Sequence, residues 1–144
     1  MVCLGNICRS PLAEGILKSK VNNDFIYVDS AGTSAFHSGE LPDQRSIKVA
    51  KKHGIDITNQ RSRQFITNDF AVFDTIYVMD KSNERNIIAL AKNDIDRKKV
   101  KLILNEIPTS KDKDVPDPYY DKDDGFEKVY QMLDHACTEI AKKI

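Results

Sequence analysis

The chain has no excess of either charge: 22 lysines and arginines balance 22 aspartates and glutamates. No general affinity for nucleic acid or for an anionic membrane is expected without a positive field to hold them. No apolar run approaches the roughly 18 residues of a membrane span; stretches such as Ile87–Ala91 are core-sized. The N-terminus shows no basic segment leading into an apolar one, so no secretory signal is expected. Cysteine is scarce and odd in number, three in all, which reads as free thiols in a reducing compartment rather than as a disulfide framework. No pair among the three histidines has metal-ligand spacing, so they give no reason to expect a metal; no cofactor is expected either. There is no repeat, low-complexity tract or Pro/Gly/Ser linker to divide the chain. At about 150 residues per domain, 144 residues make one domain, residues 1–144, long enough to bury a core unaided. The composition, 40% hydrophobic and 31% charged, is that of a globular protein, and the expectation is a cytoplasmic one.

Strand-like and helix-like patches alternate along the sequence. Met1–Cys3 reads as the end of a strand, followed by a helix that Ser10 caps and Pro11 begins. Leu12, Gly15 or Ile16, and Leu17 give that helix its apolar face. Phe25–Val28 reads as a buried strand, and residues 31–42 as a long surface loop. Asp43 begins a second helix that Gly54 stops after His53. Thr67 caps a short helix through Phe73. Thr75–Met79 and Val100–Leu104 read as strands, with a helix over residues 82–92 between them. Arg97, Lys98, Lys99 and Lys101 form a solvated edge before the last strand. An irregular Pro- and Asp-rich loop over residues 108–121 leads into a final helix from about Gly125. Its stripe is Phe126, Val129, Met132–Leu133, Ala136 and Ile140, and Cys137 on it reads as structural. Crossovers of these lengths predict an α/β fold, a doubly wound parallel sheet with helices on both faces. Ligands of such sheets sit at the C-terminal strand ends.

The segment Cys3-Leu4-Gly5-Asn6-Ile7-Cys8-Arg9-Ser10 runs from a strand into a helix. Inward N–H groups and the helix N-terminus there form a cradle for an oxyanion. Gly5 lets the backbone curl where a Cβ would clash. Asn6 tolerates a left-handed backbone and ties the loop together. Arg9 offers a planar fork for two phosphate oxygens. Cys3, at the base of the cradle, is placed as a thiolate nucleophile aimed at phosphorus, with Ser10 hydrogen-bonded to it.

A phosphate ester also needs an acid to protonate its leaving oxygen. The loop after the fourth strand offers Asp112, Asp114, Asp117, Asp121, Asp123 and Asp124. Residues 111–128 carry seven acids against four bases. Asp117 stands out because Pro116 and Pro118 hold it on both sides and Tyr119 and Tyr120 follow, able to wall a pocket. Asp114 and Asp121 are the alternatives.

Val2-Cys3-Leu4-Gly5-Asn6-Ile7-Cys8-Arg9-Ser10-Pro11 resembles the phosphate loop of the low-molecular-weight protein tyrosine phosphatases, and Asp117-Pro118-Tyr119-Tyr120 resembles their general-acid loop. Asp29–Ser34 and Met79–Asn83 resemble the segments after their second and third strands, and the similarity follows the same order along essentially the whole chain. The resemblance implies a four-stranded parallel sheet and hydrolysis of phosphotyrosine in proteins through a phosphocysteine on Cys3. It implies that Arg9 and the amides of residues 4–10 hold phosphate or a similar oxyanion, and that Asp117 serves as acid and then base. Asn6, Ser10 and Ser30 become supporting hydrogen-bonders, and Phe36 an aromatic wall opposite Tyr119 and Tyr120. Cys8 becomes a redox partner that protects Cys3 by a disulfide. His37, beside Phe36, reads as solvent-exposed, with substrate contact as the alternative.

The sequence departs from the family pattern in two places. Only Met1 and Val2 precede Cys3, so the first strand is expected to be abbreviated, losing several kcal/mol of burial, or to begin upstream of these residues. Gln60 replaces a His that often braces the phosphate loop, two residues before the small Ser62. Three relatives by fold are set aside. An arsenate reductase needs a cysteine pair mid-chain, whereas none lies between Cys8 and Cys137. The arginine-phosphatase branch typically has Thr where this chain has Ile7. A phosphocysteine carrier needs no Asp117.

Overall fold

In a computed structural model that describes residues 1–121 and 123–144, four parallel strands form one sheet in the order β2-β1-β3-β4. Lys122 and the side chain of Asp123, one of the carboxylates considered above, lie outside the described residues. The strands are β1 (Val2–Cys3), β2 (Ala31–Gly32), β3 (Ile76–Val78) and β4 (Val100–Leu102). Val2 pairs with Ala31 on one side and Val78 on the other, and Ile76 pairs with Val100. The order reverses at β1, so its C-terminal end opens at a topological switch point, where such sheets take ligands.

Side chains alternate across the sheet. Val2, Ala31, Val78 and Leu102 face a layer containing Phe65, Phe70 and Ile87. Cys3 and Met79 face the opposite layer, built on α1 (Arg9–Lys18), α2 (Gln44–Lys52) and α6 (Asp123–Ala141). Leu12, Ile16, Phe126 and Leu133 are almost wholly buried there, each contributing roughly 1.5–3 kcal/mol. Cys137 belongs to this packing: its thiol donates to the Ala13 carbonyl at 3.7 Å, and burial pushes it up to about 12. Among the described residues no helix is long and apolar enough to cross a membrane.

Several element boundaries differ from the sequence reading. Phe25–Val28 form no strand, and Phe25 is 84% exposed. Their amides close a turn instead, those of Phe25 and Ile26 donating to the Asn22 carbonyl. The strand lies at Ala31–Gly32, within the stretch read as loop, because those two residues face Val2 and Cys3 in the ladder. Helix α3 is only Asp69–Val72, and its cap position is Asn68 rather than Thr67. Helix α4 (Lys81–Ile88) starts earlier than expected because the Asp80 carboxylate caps it. A short helix, α5 (Asp94–Lys99), was not visible in the pattern. It buries no residue, so it has no apolar period. Asn93 caps it, and acids in its first turn and bases in its last complement its dipole. The basic cluster is therefore divided, with Arg97 paired to Asp94 and Lys99 donating to the Phe70 carbonyl. The chain leaves β4 through a 3-10 turn over Ile103–Glu106 instead of continuing the strand to Leu104.

Candidate active site

The loop from Cys3 to Ser10 joins β1 to α1, and its shape follows from where its carbonyls go. Cys3 and Leu4 carbonyls accept from the Thr33 and Ser34 amides, both at 2.9 Å, and the Ile7 carbonyl accepts from the Asp43 amide at 2.8 Å. Ser62 Oγ donates to the Gly5 carbonyl at 3.0 Å, and Ser46 Oγ donates to the Cys8 carbonyl at 3.2 Å. With five carbonyls pinned outward, the intervening N–H groups are turned toward the loop centre, as an anion cradle requires. The Asn6 amide donates to Cys3 Sγ at 3.3 Å.

Asn6 has φ of 56°, the left-handed conformation expected of it. Its side chain holds the strain in place. Nδ2 donates to Ser10 Oγ at 2.7 Å and Ser30 Oγ at 3.0 Å, while Oδ1 accepts from the Arg63 amide at 3.0 Å. Ser10 Oγ lies 3.1 Å from Cys3 Sγ. Because that hydroxyl already accepts from Asn6, its single proton is available to the sulfur. Ser30 in turn donates to buried Glu14 at 2.7 Å. Asn6, Ser10 and Ser30 thus form the floor beneath Cys3.

Ser10 is not the helix cap. Helix α1 begins at Arg9, with Cys8 at the cap position and no side chain capping it. Pro11 is consequently its third residue, still within the turn whose N–H groups lack helical acceptors. An uncapped N-terminus suits anion binding because no side chain competes for its N–H groups.

Arg9 is buried, and one arm of its guanidinium is fixed: Nη1 donates to Asp80 Oδ2 at 2.7 Å and the Val115 carbonyl at 2.9 Å. Nη2 lies 3.7 Å from Asp117 Oδ2. Burial works against the Arg9 charge, but negative charge at Cys3 and the Asp80 bond outweigh it and hold it above its ordinary range. Asp80 also caps α4 through the Asn83 amide at 2.8 Å. Sequence reading had not assigned Asp80 a site role. Its signal was an Asp two residues after β3 and three before Asn83, at a strand end where ligands gather.

One pocket of about 390 Å³ gathers Cys3, Leu4, Gly5, Ile7, Cys8 and Arg9 with Asp117, Phe36, Tyr119 and Tyr120. The Cys3 residue at its base is only 3% exposed, whereas Phe36 and Tyr120 at the rim are 84% and 91% exposed. Of the alternative acids, Asp114 is engaged elsewhere, accepting from the Lys81 amide at 3.0 Å. Asp121 does not line the pocket. His37 does line it: its ring meets Phe36 edge-on at 4.8 Å, and its Nδ1 pairs with Glu40. This departs from the solvent-exposed reading. The missing side chain of Gly5 makes the room, since a Cβ there would come within 3.1 Å of His37 Cδ2.

Cys8 also lines the pocket, and burial pushes its thiol well up from its ordinary range. Gln60 braces α1 rather than the loop, Nε2 donating to the Pro11 carbonyl at 3.0 Å, and Ser62 supplies the loop contact. Among the described residues no group of three His, Cys, Asp or Glu could hold a metal ion.

Gly32 is a further determinant that the sequence did not reveal. A Cβ there would lie 2.8 Å from the Leu4 carbonyl oxygen and 3.2 Å from Asn6 Cβ, so β2 can approach the loop only without a side chain. Gly32→Ala is expected to destabilise the fold by about 2 kcal/mol, read from urea unfolding. A change below about 0.5 kcal/mol would show that the contact relaxes freely.

A model of the family described as low molecular weight phosphotyrosine protein phosphatase matches residues 1–144. The low molecular weight phosphotyrosine protein phosphatase of Schizosaccharomyces pombe is 44% identical over 148 residues, spanning 99% of this chain and 94% of the relative. The crystal structure of a protein tyrosine phosphatase from Entamoeba histolytica, with Hepes in the active site, aligns at a TM-score of 0.92 and 36% identity, covering 99% of this chain and 92% of that one. The crystal structure of a Drosophila arginine phosphatase aligns at 0.90 and 33% identity, covering 99% and 94%. With a family model matched over residues 1–144 and relatives this similar over more than nine-tenths of their length, the chain belongs to the low molecular weight phosphotyrosine protein phosphatase family.

Proposed function

We propose that the protein hydrolyses phosphotyrosine in proteins by two successive displacements at phosphorus. Cys3 Sγ attacks the phosphorus while the tyrosyl oxygen leaves with a proton from Asp117, forming a phosphocysteine. Water then attacks phosphorus, giving its proton to the Asp117 carboxylate, and Cys3 departs as thiolate to release inorganic phosphate. Arg9 Nη2 and the inward N–H groups hold the three equatorial oxygens through both steps. The Ser10 proton stabilises the departing sulfur. Asn6 and Ser30 keep Ser10 in place.

The observation that carries this reading is the convergence of Cys3, Arg9 and Asp117 on one pocket from opposite ends of the chain. A phosphocysteine carrier has no use for the third. The walls favour an aryl ester. The sulfur lies deep, and Phe36, Tyr119 and Tyr120 border the entrance. A sulfonate buffer in the active site of the Entamoeba enzyme agrees with a site for tetrahedral oxyanions. Cys8 lines the same pocket as Cys3, the placement that the redox partner implied by the resemblance requires.

Phosphate release from phosphotyrosine, phosphoserine and phosphoarginine peptides, all with metal chelator present, tests the reading. Phosphotyrosine is expected to be turned over at least about tenfold faster than either other peptide. Preference for phosphoarginine would transfer the protein to the activity named for its Drosophila neighbour despite Ile7. No turnover of any peptide would overturn the enzyme reading in favour of a phosphate-binding or carrier role.

A further inference from the structure

Asp117 sits between two prolines, so the loop that carries it has few amides of its own with which to fix its height. Upstream, the Val115 amide donates to the Met79 carbonyl at 2.8 Å. Downstream, the loop is held by Arg45, the second residue of α2. Arg45 Nη2 donates to the Tyr119 carbonyl at 2.8 Å, and Nη1 donates to the Asp121 carbonyl at 3.0 Å. The Tyr119 amide donates in turn to Asp117 Oδ1 at 3.0 Å. Tyr119 therefore joins the carboxyl to the guanidinium, its N–H bonded to one and its C=O to the other.

The other end of this connection reaches the cradle. Arg45 Nε and Nη2 donate to the two carboxylate oxygens of Asp43, each at 3.0 Å. Asp43 caps α2 through the Arg45 amide and gives its own amide to the Ile7 carbonyl. The guanidinium also lies 4.5 Å from the Phe126 ring centre and 5.8 Å from that of Tyr119. A planar, five-donor group can serve a carboxylate, two carbonyls and two rings at once; an ammonium cannot.

We propose that Arg45 is a positioning residue for the reaction, latching the Asp117 loop to the residue that also steadies the phosphate cradle and so setting the acid over Cys3. This rests on the reading of Asp117 as the acid. Arg45 does not line the pocket, so it acts on proton transfer and not on phosphate binding. Proton transfer is sensitive to displacements of about 1 Å, which makes a latch outside the pocket consequential.

The test compares wild type, Asp117→Asn, Arg45→Met and Arg45→Lys on aryl phosphates ranging from p-nitrophenyl to phenyl. Amide hydrogen exchange at Tyr119 and Asp121 is followed in parallel. Arg45→Met is expected to lower kcat/KM about tenfold for phenyl phosphate and within about twofold for p-nitrophenyl phosphate. Competitive inhibition by inorganic phosphate should stay within about twofold of wild type. Exchange at Tyr119 and Asp121 should quicken about tenfold while that at Asn6 holds. Arg45→Lys should fall between, and it supplies the same readouts if Arg45→Met does not fold. Combined with Asp117→Asn, Arg45→Met should add no further leaving-group dependence.

A loss equal across all leaving groups would overturn the inference and leave Arg45 a merely structural residue. So would an unchanged dependence in Arg45→Met when Asp117→Asn steepens it. If Asp117→Asn itself leaves the dependence unchanged, or wild type turns over no ester, the acid assignment or the enzyme reading fails instead. The latch is then decided by exchange alone: unaltered protection at Tyr119 and Asp121 overturns it, and selective loss of protection sustains it.

Discussion

Cys3→Ser is expected to reduce turnover of phosphotyrosine peptides by about 10⁵-fold while leaving phosphate bound. A hydroxyl at this position has nearly the thiol's shape, so the buried site accommodates it without a cavity. It lacks the thiol's nucleophilicity, and the cradle that assists an anionic sulfur gives a neutral hydroxyl no comparable reactivity. Arg9 and the inward N–H groups remain, because their positions depend on Asp80, Val115 and the outward carbonyl bonds rather than on the sulfur. In the proposed mechanism the attacking sulfur is anionic, so its replacement by a hydroxyl also removes a charge that repels a phosphate dianion. Affinity for a phosphotyrosine peptide, measured by calorimetry, is therefore expected to be maintained or increased. Acid quenching of the wild type during turnover should trap phosphate on Cys3, and the serine variant should trap none. Retention of more than about a hundredth of the wild-type rate would remove Cys3 from the nucleophile's role. Loss of binding together with turnover would point to a damaged loop.

Much of this site was legible because its chemistry is concentrated in one contiguous loop. Gly5, Asn6, Arg9 and Ser10 each carry a local constraint, and the left-handed Asn6 is where such reasoning expects it. The support around the loop was less legible because it is assembled across long sequence distances. Ser62 and Ser46, whose hydroxyls turn the Gly5 and Cys8 carbonyls outward, look in sequence like any exposed loop or helix serine. Asp80 and Asp43 look like helix caps, which they are, but each has a second task that only folding reveals. The misplacement of Ser10 has the same origin. Local propensity favours a serine cap, but this hydroxyl goes to Asn6 and Cys3 and leaves the helix end uncapped. The strand expected at Phe25–Val28 failed because a short apolar run does not identify what lies beside it, and pairing placed the strand at Ala31–Gly32.

Asp117→Asn carries the second large effect, a fall of about 10²- to 10³-fold in kcat/KM on phosphotyrosine peptides. Tyrosine leaves as a basic phenolate unless a proton reaches its oxygen, and asparagine has no such proton to deliver. The side chain is 40% exposed and the cation paired with it, Arg9 Nη2, is 3.7 Å away, so losing the charge should alter stability little. Size and placement are retained, because the amide oxygen can still accept from the Tyr119 amide. The loss should therefore depend on the leaving group. An ester of p-nitrophenol, which departs readily without a proton, should lose only about tenfold. Asp114→Asn provides the control within the same loop: its carboxylate serves the Lys81 amide, so its removal should leave that dependence as in wild type. Equal losses for good and poor leaving groups, or the same steepening in Asp114→Asn, would mean that the proton comes from elsewhere. A dependence that steepens only when position 117 loses its acid would identify the Asp117 carboxyl as the proton donor, and with it the reason this loop must be held in register with the cradle.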